Sequence, residues 1–100
     1  MGDSGHGVGS RDACVNVRLW AGARAAAGTS EVVLPVPGPV TVAWVRDEVL
    51  RRLPSAGGLD QVLAVCSVLV GETPVGTADP AGVEVLPGGS VEFLPPFAGG

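Results

Sequence analysis

One stretch of helical periodicity, set between stretches of strand alternation, restricts this chain more than any other feature. In TVAWVRDEVLRRLP (41–54), Val42, Val45, Val49 and Leu53 recur on one helical face, with Leu50 flanking the stripe. Thr41 stands where an N-cap hydroxyl is wanted, and Pro54 disfavours helical backbone at the residue before it. Asp47–Arg51 and Glu48–Arg52 place acid before base at i,i+4, and both arginines lie toward the negative end of the helix dipole.

On either side the period changes to two. CVNVRLW (14–20) sends Val15, Val17 and Leu19 one way and Asn16, Arg18 and Trp20 the other. TSEVVLPV (29–36) puts Val32, Leu34 and Val36 on one face, and the PGP at 37–39 breaks it. Between these strands AGARAAAG (21–28) suits a short helical turn closed by Gly28. Beyond the main helix, 54–58 reads as loop and LDQVLA (59–64) as a short helix. VCSVLVG (65–71) reads as a strand, and 72–82 as a long surface loop. VEV (83–85) reads as an edge strand, LPGGS (86–90) as a turn and VEFL (91–94) as the last strand, with Val91 and Phe93 inward. Strand, strand, helix, strand, strand is the order of a small α+β domain whose sheet is covered on one face and half wet on the other.

Composition bounds the function. Apolar residues make up 46 %, but only Trp20, Trp44, Phe93 and Phe97 are aromatic, so a Val, Leu and Ala core is expected. A net charge of −4 disfavours nucleic-acid binding, which draws on a basic patch. No apolar run reaches the roughly 18 residues of a membrane span. MGDSGHGVGS lacks the basic and apolar regions of a signal peptide, and His6 stands where myristoylation wants Ser or Thr. Residues 1–12 are expected to form a disordered tail and residues 13–96 the domain. Cys14 and Cys66 are expected to be small apolar strand residues of a cytoplasmic protein rather than a disulfide framework.

Catalytic groups are scarce. The one histidine, His6, lies in the expected tail, which leaves no Ser-His-Asp or Cys-His arrangement. Too few His and Cys are present for a zinc site. All six cations are arginine, so there is no P-loop lysine and no Schiff base. No catalytic residue, metal ligand or bound cofactor is assigned. The chemistry then falls to a group that every chain carries, the terminal carboxylate. Here VEFL runs into PPFAGG (95–100). A proline pair favours a stiff, extended conformation, and glycine makes a thread narrow enough for a confined active site.

These residues resemble the MoaD/ThiS sulfur carriers of the ubiquitin-like β-grasp fold, and MoaD-type chains most. LPGGSVEFLPPFAGG (86–100) is the specific match; VNVRLWAGARAAAG (15–28) and TVAWVRDEVLRRLP (41–54) support it. The resemblance covers about residues 13–100. It implies a mixed sheet with the first and last strands central and parallel, and one main helix packed on one face. It also implies that Gly100 is adenylated with ATP by an enzyme related to ubiquitin-activating enzymes. Sulfur from a persulfide, supplied by a sulfurtransferase or cysteine desulfurase, would convert it to a thiocarboxylate. Pro95, Pro96, Phe97, Ala98 and Gly99 would thread the flexible 97–100 tail into a partner. For a MoaD-type chain that partner is the large subunit of molybdopterin synthase, and the chain is its non-catalytic small subunit. Other openings are a carrier for thiamine, cysteine or a sulfur-bearing secondary metabolite, or a β-grasp binding module whose Gly-Gly end is incidental.

Overall fold

The computed structural model describes residues 13–53 and 58–96. The expected tails at 1–12 and 97–100, and most of the 54–58 loop, lie outside the described residues.

The chain opens with strand β1 (Cys14–Leu19), helix α1 (Ala21–Ala27) and strand β2 (Glu31–Pro35). A two-residue strand β3 (Val40–Thr41) leads directly into the main helix α2 (Val42–Arg52). Helix α3 (Leu59–Val65), β4 (Ser67–Val70) and β5 (Thr73–Pro74) follow. A 3-10 turn (Pro80–Gly82), β6 (Glu84–Val85) and β7 (Ser90–Leu94) complete the described elements.

Five strands form one mixed sheet in the order β2-β1-β7-β4-β5. β1 and β7 run parallel with Val17 opposite Val91 and Leu19 opposite Phe93, as the resemblance implies. β7 also pairs antiparallel with β4, placing Phe93 opposite Val68. It is therefore the middle strand, satisfied on both edges. β2 closes one side, and Pro35 is tolerated there because its missing N–H faces an open edge.

The alternation read from the sequence sets which face is buried. Val15, Val17, Leu19, Leu34, Val91 and Phe93 are each at most 1 % exposed and face the helices. Val42, Val45 and Val49 of α2 and Leu59 and Leu63 of α3 pack into that core, with Ala23, Val36, Val40 and Val85 around them. Burying one such aliphatic side chain contributes about 1.5–3 kcal/mol. The Thr41 Oγ1 accepts a hydrogen bond from Trp44 N at 3.0 Å, so the expected N-cap is formed. α2 stops at Arg52, and Leu53 is extended with ψ 143° ahead of a proline. Gly28 ends α1 at φ 78°, where its N–H reaches Arg24 O.

Several local expectations need correction. Arg51 does not pair with Asp47: it bonds Glu48, which also takes Arg52 Nε at 2.9 Å, because one carboxylate has two oxygens to offer. The strand expected over 65–71 begins at Ser67, since α3 continues through Val65. Cys66 is thus a helix C-cap at a helix–strand junction and not a strand residue. The 72–82 segment holds structure of its own. β5 folds back on β4 through a two-residue turn, and the Asp79 carboxylate caps the 3-10 turn by accepting from Ala81 N at 3.0 Å. The edge strand expected over 83–85 is present as β6, which pairs with β3 in a separate two-stranded ladder.

Candidate functional site

The sheet's open face is defined by the residues between the buried ones: Asn16 and Arg18 on β1, Val33 on β2, Ser90, Glu92 and Leu94 on β7, Leu69 on β4. Most carry intermediate or high exposure, Val33 reaching 56 %. Trp20 follows β1, and its backbone N donates to Phe93 O at 3.1 Å, which carries the parallel ladder one residue further. The indole then lies on the open face, 38 % exposed, with Nε1 donating to Glu92 Oε1 at 2.9 Å. The Arg18 guanidinium lies over the same ring, 5.5 Å from its centroid. Immediately after Trp20, Ala21 has φ 48°, a left-handed conformation that is costly for a residue with a Cβ. That turn swings α1 away and leaves the indole on the sheet.

This cluster flanks the root of the C-terminal segment. β7 delivers Pro95 and Pro96 exposed at the end of the central strand. Neither can donate to a ladder, so pairing ends there and the backbone leaves the sheet. Gly89 sets the start of the same strand: a Cβ there would meet Leu86 O at 2.9 Å, so the turn into β7 admits only glycine without adjustment. Phe97, Ala98, Gly99 and Gly100, the remaining expected site residues, lie outside the described residues.

The Trp20–Glu92 contact joins residues 72 apart in sequence. Strand alternation had placed Arg18 and Trp20 outward, but their partner emerges only from the parallel β1–β7 register. Among the described residues no three His, Cys, Asp or Glu side chains are gathered to hold a metal ion. No helix among them is long and apolar enough to cross a membrane. Burial pushes the Cys66 thiol up, away from the thiolate form that chemistry would need.

No protein-family model matches the chain, and no curated protein sequence matches it. Solved structures do. The chain is similar to the small archaeal modifier protein 1 of Haloferax volcanii, with a TM-score of 0.67 and 21 % identity over 87 % of this chain and 99 % of that one. It is equally similar to the small archaeal modifier protein 1 of Methanosarcina acetivorans, with a TM-score of 0.67 and 22 % identity over 88 % of this chain and 97 % of that one. The fold is the α+β, ubiquitin-like β-grasp fold, with a five-stranded mixed sheet and helices on one face.

Proposed function

We propose that this chain is a ubiquitin-like carrier whose C-terminal glycine, Gly100, is activated as an acyl-adenylate and converted to a thiocarboxylate. The observation that carries the reading is the course of β7: the middle strand of the sheet ends in an exposed Pro95-Pro96 pair that leads into Phe97-Ala98-Gly99-Gly100. The likeness to small archaeal modifier proteins supports it.

A carboxylate is an inert anion at neutral pH, with an α-carboxyl pKa of about 3.3–3.7. In the proposed reaction a Gly100 oxygen attacks the α-phosphorus of ATP on a ubiquitin-activating-like adenylyltransferase and releases pyrophosphate. The terminal sulfur of a persulfide, charged by a sulfurtransferase or cysteine desulfurase, displaces AMP to give an acyl disulfide. A partner thiol then cleaves the S–S bond, leaving the thiocarboxylate on the carrier and a disulfide on the partner. The carrier acts as a co-substrate and supplies no catalytic side chain, no metal and no bound cofactor. The destination closest to the resemblance is the large subunit of molybdopterin synthase in the cytoplasm; thiamine, cysteine or secondary-metabolite enzymes are the alternative acceptors.

A second reading, conjugation to other proteins, draws on the modifier role named for the structural neighbours. The two separate in one experiment: the full chain with ATP, a sulfur source and the host's activating enzyme, followed by intact mass. The carrier reading expects a gain equal to replacing one oxygen by sulfur, captured by a thiol-specific reagent. Isopeptide-linked products without a thiocarboxylate would favour the modifier reading, and neither product would refute both. Having no lysine, the chain offers no side-chain amine for linkage to itself.

A further inference from the structure

The 72–82 segment, which the proposed carrier chemistry does not use, builds one wall of a cavity of about 420 Å³ on the helical side of the sheet. Ligand pockets commonly span roughly 300–1,000 Å³. Buried Val42, Leu63 and Phe93 form its floor, from α2, α3 and β7 respectively. Val75 and Pro80 face them from the loop. The wall is held by backbone hydrogen bonds: Val75 N to Val68 O at 2.9 Å, Ala78 N to Val75 O at 3.2 Å and Gly82 N to Asp79 O at 2.8 Å. Val42 N also donates to Val83 O at 3.0 Å, tying the far end of the segment to the start of α2. The space is therefore framed by ladder and turn bonds, as a preformed site would be.

Among the described residues one charged side chain lines it. Arg46 sits one turn along α2 from Val42, half-buried, and forms no hydrogen bond or ion pair among the described residues. The other α2 arginines, Arg51 and Arg52, both hold Glu48. The donors of its guanidinium are therefore not taken up within the described residues. Planar, two-pronged donation matches a carboxylate, as it does a phosphate, and of the two the carboxylate carries the smaller charge into a mostly apolar lining.

We propose that this cavity is a binding site for a small amphipathic monocarboxylate, its aliphatic or aryl body against Val42, Leu63, Val75 and Phe93 and its carboxylate on Arg46. The site is separate from the Trp20 face and does not depend on the carrier reading. The test is an amide-resolved NMR titration of the full chain with octanoate, 1-octanol and acetate. Octanoate should give saturable shifts at Val42, Leu63, Val68, Val75 and Thr77, and bind more tightly than acetate. Arg46→Gln should weaken octanoate by roughly tenfold, equivalent to about 1.4 kcal/mol, while leaving 1-octanol unchanged. Ala64→Trp, which fills the cavity from an exposed helix position, should block both. The proposal is overturned if wild type shows no saturable shifts at those amides, or if they centre on Trp20. It is equally overturned if acetate binds as tightly as octanoate, or if Arg46→Gln leaves octanoate affinity intact.

Discussion

At the scale of single residues, two side chains carry measurable consequences. The Asn16 Oδ1 is buried without a hydrogen-bond partner among the described residues, in the middle of β1. Leaving such an atom unsatisfied costs about 1–3 kcal/mol, and Asn is a poor strand former. Asn16→Val should therefore raise stability by about 1 kcal/mol in urea unfolding; a loss of that size would mean that the amide is satisfied in solution. Glu48 is the second. Its hydrogen bond from Arg51, then that from Arg52, hold its carboxyl below the ordinary value of 4.5. A depressed folded-state pKa gives stability that is present above 4.5 and lost as pH falls through the lower folded value. The melting temperature of Glu48→Gln should lie under that of wild type at neutral pH and approach it as pH falls below 4.5 through the lower folded value. A constant gap across that range would show that Glu48 acts through packing instead.

At the scale of elements, α2 is the piece most open to test. Val49 is fully buried against the sheet, so Val49→Asp places an unpaired charge in the core and should cost several kcal/mol. A folded Val49→Asp variant with an unchanged melting temperature would show the helix register to be different. Thr41→Ala removes the hydroxyl that accepts from Trp44 N, for a loss of about 1 kcal/mol. The periodicity of α2 was legible because its apolar spacing, its cap and its stop all agree. The α3–β4 junction was not: AVCSVLV is apolar but for Ser67, and its period does not mark where helix gives way to strand.

At the scale of the whole molecule, the body and the end of the chain should separate. Adding one residue after Gly100 moves the carboxylate that we propose reacts by about 3.3–3.6 Å, and errors of about 1 Å in a reacting pose can cost a hundredfold. Both that extension and deletion of Gly100 should abolish sulfur loading, while the melting temperature stays within about 1 °C of wild type. Equal loading of the extended or truncated protein would remove Gly100 from the mechanism. The double variant Cys14→Ser, Cys66→Ser should still be loaded, since the proposed sulfur rests on the terminal carbonyl; complete loss with the fold intact would move the chemistry to a thiol.

Local periodicity was enough to settle the buried face of each long strand, the stripe and cap of α2, and the Gly28 stop of α1. These depend on neighbours within a few residues, whose spacing is written directly in the chain. The Gly-Gly end and its proline pair were equally plain, being covalent facts. Long-range pairing decided the rest. Glu92 meets Trp20 because β1 and β7 run parallel, β6 lies beside β3 with Val42 N bonded to Val83 O, and residues 72–82 form a wall because a hairpin and a capped turn hold them there. Such contacts depend on which segments pack side by side, a choice made by burying one shared core and not by any short stretch of sequence.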